Sequence, residues 1–295
     1  MPHHETVILS ATRTPLGSFQ GALASVPASR LGAAAIKGAL TQAGISPGDV
    51  SDVLLGNVLQ AGQGQAPARQ AALAANLPQH VRAVTIHKVC GSGLQAVMQA
   101  SHALAAGDAT LVVAGGMENM SASPYLLPKA RDGYRLGNQQ VIDSLVHDGL
   151  WDPYSNIHMG SCAERCATQY AFTREQQDAY AIASFKRANA AQKDGRFAQE
   201  ITPVEITDAK GGITRVEHDE GPAKVKYDKI PTLRPVFDKA GTITAANAST
   251  INDGAAALVL ETATTAAARG FKPLARLISF GGHAQDPLWF TTAPV

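Results

Sequence analysis

The stretch VTIHKVCGSGLQAVMQA, Val84 to Ala100, decides how the rest of this sequence is read. A β-type run, Val84 to Val89, leads into Cys90. Gly91-Ser92-Gly93 then turns the chain. Apolar residues at Leu94, Val97, Met98 and Leu104 follow as one stripe of an amphipathic helix, which Gly107 can end. This order puts Cys90 at or beside a helix N-terminus, where unpaired N–H groups and the helix dipole favour a thiolate. Gly91 and Gly93 let a substrate approach the backbone, and the same N–H groups suit an oxyanion. The pattern fits an activated nucleophile. Two other readings stay open on these residues alone. One is a small cysteine filling core space. The other is a phosphate-binding turn, with Gly91-x-Gly93 opening a dinucleotide fingerprint and Ala96 in its third place.

Outward from this segment, strand-like and helix-like patterns alternate. Thr6–Leu9, Val53–Leu55 and Leu111–Ala114 read as strands, the last stopped by Gly115-Gly116. Ala28–Ala43, closed by Gly44, and Pro67–Leu77 read as helices. Such alternation predicts a parallel α/β sheet. Residues 121–160 turn rich in Gly, Pro, Asp and Asn, and Glu164–Lys193 predicts one long helix. Segment 196–249 mixes short β-type pieces with turns, a large insertion or subdomain. The α/β texture returns after a turn expected at Asn252-Asp253-Gly254.

The 295 residues allow roughly two domains, and hydrophobic residues at 45% allow a large core. A net charge of +1 gives no broad field for nucleic acid or an anionic membrane. There is no apolar run long enough for a membrane span and no signal-like opening, so a cytoplasmic location is expected. Three cysteines, Cys90, Cys162 and Cys166, make no disulfide framework. His158, Cys162 and Cys166 form a stripe at helical spacing, but no further ligand pair follows, and no metal is expected. His87 lies close to Cys90, yet an odd offset along a strand points it to the opposite face, so it is not nominated as a base.

The segment around Cys90 resembles the acyl-enzyme cysteine motif of the thiolase family, and five further blocks match in order. They are ILSATRTPLGSFQGAL (Ile8 to Leu23), GNVLQAGQGQAPARQAAL (Gly56 to Leu73), GGMENMSASPY (Gly115 to Tyr125), HMGSCAE (His158 to Glu164) and LRPVFDKAGTITAANASTINDGAAALVL (Leu233 to Leu260). The resemblance implies a thiolase-like α/β fold: a first βαβαβ half with an inserted loop subdomain, the second half absent. Residues 1–120 plus 250–272 would form the N-terminal core half. Residues 121–249 would form the loop domain for coenzyme A binding and oligomerisation, and 273–295 would start the missing half.

By the same resemblance, Cys90 takes the acyl group, and its own N–H contributes to an oxyanion hole. The His158-Met159 pair is similar to that of short-chain, acetoacetyl-CoA-type members. His158, Met159, Leu150, Phe237, Ala245 and Ser249 are expected to line the pantetheine and acyl pocket. An arginine common in the family near Ala223 is absent, and Lys224 is expected in its place, beside Lys226 and Lys229. Coenzyme A thioesters are the implied substrates and partners. No separate cofactor is implied, and a dimer or tetramer is expected of the complete enzyme. The Asn-Glu, Gly-His-Pro and Cys-x-Gly motifs of the family's second half do not occur in this sequence. Low turnover is therefore expected from these residues alone. An inactive coenzyme A binding or oligomerising module and a ketoacyl synthase-like condensing enzyme stand as alternatives.

Overall fold

The computed structural model describes residues 5–295. Two compact units divide the chain. The first holds residues up to Ala122 together with Phe197–Glu220 and Asn252–Phe280. It contains β1 (Thr6–Arg13), α1 (Ala28–Ala43), β2 (Asp52–Gly56), α2 (Pro67–Ala74), β3 (Arg82–Ile86), α3 (Ser92–Ala106) and β4 (Leu111–Asn119). A hairpin of β5 (Val204–Thr207) and β6 (Ile213–Val216) and the long strand β7 (Asn252–Thr262) complete it.

The main sheet runs Ala275–Arg276, β1, β7, β4, β2, β3, with Gly17–Ser18 paired to the start of β7. β2 lies parallel to both β3 and β4. The sheet is mixed rather than parallel throughout, because β7 inserts antiparallel between β1 and β4. Alternate side chains serve opposite faces, as strand geometry requires. Val53, Leu55, Leu111, Val113, Ala257 and Val259 face α1 and α2, whereas Leu54, Val112, Ala114 and Leu260 face α3. Leu31 and Ile36 of α1 are wholly buried on that first face, each stabilising the fold by about 1.5–3 kcal/mol.

Gly115-Gly116 does not stop β4, and the reason is steric. A Cβ at Gly115 would fall 2.0 Å from the carbonyl oxygen of Ala256 on β7. At Gly116 a Cβ would sit in ordinary contact with Gly93 Cα at 3.5 Å. Gly115 is the residue that lets β7 close on the strand. Nor is Asn252-Asp253-Gly254 a turn. These residues begin β7, where the buried Asp253 carboxylate accepts from the Ser121 amide and hydroxyl at 3.0 and 2.7 Å.

The second unit holds Ser123–Arg196, Gly221–Ile251 and Gly281–Val295. Its helices are α4 (Ser144–Gly149), α5 (Met159–Gln169) and α6 (Arg174–Lys193). The long helix expected over Glu164–Lys193 is broken between α5 and α6. Ala171 adopts φ 53, and Thr173 starts a new helix with a capping box to Gln176.

The division differs from the expected one in two places. Phe197–Glu220 joins the first unit because Arg13 on β1 draws it in. The Arg13 guanidinium meets Glu200 and Asp219, each at 2.7 Å, and the Thr202 amide donates to the Arg13 carbonyl at 2.7 Å. Of 273–295, only the part through Phe280 stays with the sheet, where Ala275–Arg276 pairs with β1. Among the described residues, no helix is long and apolar enough to cross a membrane.

Candidate active site

Cys90 lies beyond the carboxyl end of β3, the end of a parallel strand where ligands bind in open α/β sheets. β3 stops at Ile86, three residues earlier than its apolar pattern suggests, and 87–91 form a tight turn into α3. Cys90 is exposed, which removes the core-filler reading. Val89 before it adopts φ 46, in the left-handed region. A β-branched residue held there stores about 1–3 kcal/mol of strain.

Three side chains hold that turn. The Ser92 hydroxyl accepts from the Lys88 amide at 2.8 Å and donates to the Val89 carbonyl at 2.6 Å. His87 Nδ1 accepts from the Val89 amide at 3.2 Å. Lys88 Nζ donates to Gln95 Oε1 on α3 at 3.0 Å. The strand alternation used to orient His87 does not apply, because the chain leaves the strand at Ile86 and the His87 ring turns to the Val89 amide. Gly91 caps α3 without a side-chain bond, so the first N–H groups of α3 carry the positive end of the helix dipole.

The neighbouring strand ends support this turn. The Asn57 amide donates to the Ile86 carbonyl at 3.0 Å. Glu118, near the end of β4, accepts from Asn57 Nδ2 and the Val58 amide, each at 2.8 Å, and from the Leu59 amide at 3.3 Å. Burial pushes the Glu118 carboxyl pKa up, against the downward pull of those hydrogen bonds. The sequence reading missed Ser92 and Glu118 as site supports. The Ser between two glycines after Cys90 was the available signal for the first; for Glu118 there was none, since its partners lie about 60 residues away.

The remaining expected residues belong to the second unit. A two-residue ladder pairs Trp151–Asp152 with Ile157–His158, and the Met159 amide donates to the Leu150 carbonyl at 2.8 Å. Leu150, His158 and Met159 are thereby gathered. His158 caps α5, its Nδ1 accepting from the Gly160 amide at 2.9 Å. Its ring stacks on Phe237 at 4.8 Å. Gly160 makes room for that ring, since a Cβ there would meet Phe237 at 2.3 Å. Burial lowers the His158 pKa, favouring the neutral ring.

Glu164 on α5, buried at 8% exposure, accepts from the Thr242 and Ile243 amides at 2.7–3.0 Å. It ties the 242–243 segment to α5. Ala245 and Ser249 follow on that loop, both exposed. Ser249 caps no helix. Lys224 is exposed at the end of the short turn Pro222–Lys224, beside α6. Phe237 also lines a cleft of about 400 Å³ with Ile157, Arg165, Asp238, Leu288 and Trp289. Cys162 is buried, which pushes its thiol pKa up. Among the described residues, no group of three or more His, Cys, Asp or Glu side chains is placed to hold a metal.

Residues 6–264 match the family model described as thiolase, N-terminal domain. The chain is 51% identical over 292 residues to an acetyl-CoA acetyltransferase of Cupriavidus necator, covering 99% of this chain and 74% of that one. It is 49% identical to an acetyl-CoA acetyltransferase of Schizosaccharomyces pombe, covering 100% and 75%. A mouse relative named acetyl-CoA acetyltransferase, mitochondrial, is 49% identical over 99% of this chain and 68% of its own. Among solved structures, the Acat5 thiolase of Ascaris suum in complex with coenzyme A superposes with a TM-score of 0.92. It shares 40% identity, with 98% of this chain and 74% of that one covered.

Proposed function

This chain belongs to the thiolase family of acyltransferases, and from that premise we propose that Cys90 exchanges acyl groups with coenzyme A. The Cys90 thiolate attacks the carbonyl carbon of an acyl-CoA thioester. The tetrahedral oxyanion is met by the backbone N–H of Cys90 itself, the Gly91 and Ser92 N–H groups being engaged with the Lys88 and Val89 carbonyls. The bond from that carbon to the coenzyme A sulfur then breaks, and the departing thiolate takes up a proton. An acetyl-type group is left on Cys90. The observation that carries this reading is an exposed cysteine held by a strained turn at the start of a helix, beyond the carboxyl end of a parallel strand.

Coenzyme A binding falls to the second unit in this proposal. The stacked His158 and Phe237, with Met159 and Leu150, form the acyl and pantetheine set; Ala245 and Ser249 supply the exposed loop, and Lys224 a charge for phosphate. Short-chain substrates of the acetoacetyl-CoA type are the proposed class. The residues of this sequence include no Asn-Glu, Gly-His-Pro or Cys-x-Gly motif. A positioned base is worth about 10²–10⁴-fold, so acylation without efficient turnover is expected of them.

Incubation with acetyl-CoA followed by mass spectrometry tests this. An acetyl increment on the Cys90 peptide, lost in Cys90→Ala, is expected. Coenzyme A binding with no acetyl on Cys90 would replace the proposal with a binding module. Turnover of acetoacetyl-CoA and coenzyme A at a rate typical of complete thiolases would overturn the low-turnover part.

A further inference from the structure

His87 is exposed and outside the sheet, yet its ring is engaged: Nδ1 accepts the Val89 amide at 3.2 Å. The span from residue i to i+2 is that of an Asx turn, in which an Asn or Asp Oδ1 accepts the N–H two residues on. Nδ1 lies one bond beyond Cγ, as Oδ1 does, and takes that place. The residue it holds is Val89, at φ 46, and Cys90 is next in the chain. The Ser92 hydroxyl holds the Lys88 amide and the Val89 carbonyl. Among the described residues, His87 supplies the side-chain hold on the Val89 amide.

We propose that His87 is a positioning residue for Cys90, its neutral imidazole fixing the left-handed turn that presents the thiol and its protonation releasing that turn. The inference rests on reading Cys90 as the nucleophile. Nδ1 accepts only while its lone pair is free; in the imidazolium both nitrogens are donors. The charged or titratable neighbours in the turn are Lys88 and Cys90, and the Lys88 ammonium is engaged with Gln95. The first turn of α3, Ser92-Gly93-Leu94-Gln95, carries no charge. From the neighbouring strand ends, Asn57 meets the Ile86 carbonyl, and Glu118 is held by Asn57, Val58 and Leu59. Acid therefore acts on Cys90 twice: it protonates the sulfur, and it frees the turn.

The test is the rate of Cys90 alkylation by iodoacetamide across pH, read by peptide mass spectrometry on the full chain, with Cys162 and Cys166 scored separately. His87→Ala is expected to slow Cys90 alkylation about fivefold where the imidazole is neutral, the usual net worth of one hydrogen bond. His87→Asn is expected to restore the rate, because its Oδ1 accepts the same N–H. Its profile should lack the extra drop of about fivefold that the wild type shows where the imidazole becomes protonated. His87 is exposed, and unfolding temperatures of both variants verify that they fold. His87→Ala reacting like the wild type, or His87→Asn tracing the wild-type pH profile, would overturn the inference alone. A wild-type Cys90 no more reactive than Cys166 would overturn the nucleophile reading with it.

Discussion

Gly56 and Ser92 meet where β2 ends beneath the first turn of α3: a Cβ on Gly56 would come 2.6 Å from Ser92 Cβ and 2.7 Å from the Gly93 nitrogen. Neither neighbour is the free end of a flexible side chain. Gly56→Ala must push the start of α3, and with it the turn carrying Cys90. Overpacking of this kind costs about 1–3 kcal/mol. The expected result is a lowered urea midpoint together with slower acetylation of Cys90. A variant matching the wild type in both would show that α3 can shift without disturbing the cysteine.

Ser92→Ala removes a hydroxyl that bonds on both sides of the strained turn. Ser92 is buried at 4% exposure, and the Lys88 amide and the Val89 carbonyl each lose a side-chain partner. The expected loss is about 1–3 kcal/mol of stability, with Val89 relaxing out of the left-handed region. Urea unfolding measures the first part; the rate of Cys90 acylation measures the second. Ser92→Thr keeps the hydroxyl and is expected to recover most of the rate.

His158 is both the cap of α5 and the stacking partner of Phe237, and its depressed pKa fixes the sign of a pH effect. The unfolded chain binds this proton more readily than the folded one. Stability from His158 is thus fully present above the ordinary histidine pKa and is lost as pH falls through the lower, folded value. His158→Asn keeps a cap acceptor and is expected to flatten the part of the stability curve that falls below about pH 6.5, the ordinary histidine value. Urea midpoints across that range are the measurement; parallel curves for the two proteins would contradict the assignment.

Glu118 runs the other way. Its carboxyl pKa is raised by burial, so the folded chain holds the proton where the unfolded chain has released it. The contribution is complete below the ordinary carboxylate pKa and is lost as pH rises through the folded value. Glu118→Gln is expected to remove this downward slope. It should also lower stability overall, because the amide nitrogen takes the place of one accepting oxygen, either the one that meets Val58 or the one shared by Leu59 and Asn57. Urea unfolding of both proteins from about pH 4 to pH 7 reads both effects.

Where a feature depends on neighbours in sequence, it is legible in the sequence. The alanine stripe and Gly44 predict Ala28–Ala43, and α1 has those bounds. A strand, a cysteine and a glycine-flanked turn likewise predict where Cys90 stands. What escapes is set by distant partners. Gly115-Gly116 reads as a stop signal because nothing local says that Ala256 presses against Gly115. The sheet reads as parallel because β7 arrives about 130 residues after β4. Glu164 looks like a surface helix residue until the 242–243 amides reach it. Thr173-x-x-Gln176, a local signal for the break before α6, is easily masked by the alanine-rich stretch after it.

The placing of β7 between β1 and β4 also orders events on the ribosome. β2, β3 and β4 are made within about 70 residues of one another and pair among themselves. β1 emerges first, yet its partners in the main sheet are β7, whose last residue is Thr262, and Ala275–Arg276 beyond it. A nascent chain can thus shape the elbow around Cys90 long before its own first strand has a neighbour. Contacts of such long range are slow to form. During that interval β1 exposes unsatisfied edges, the kind of surface on which a growing chain pairs wrongly.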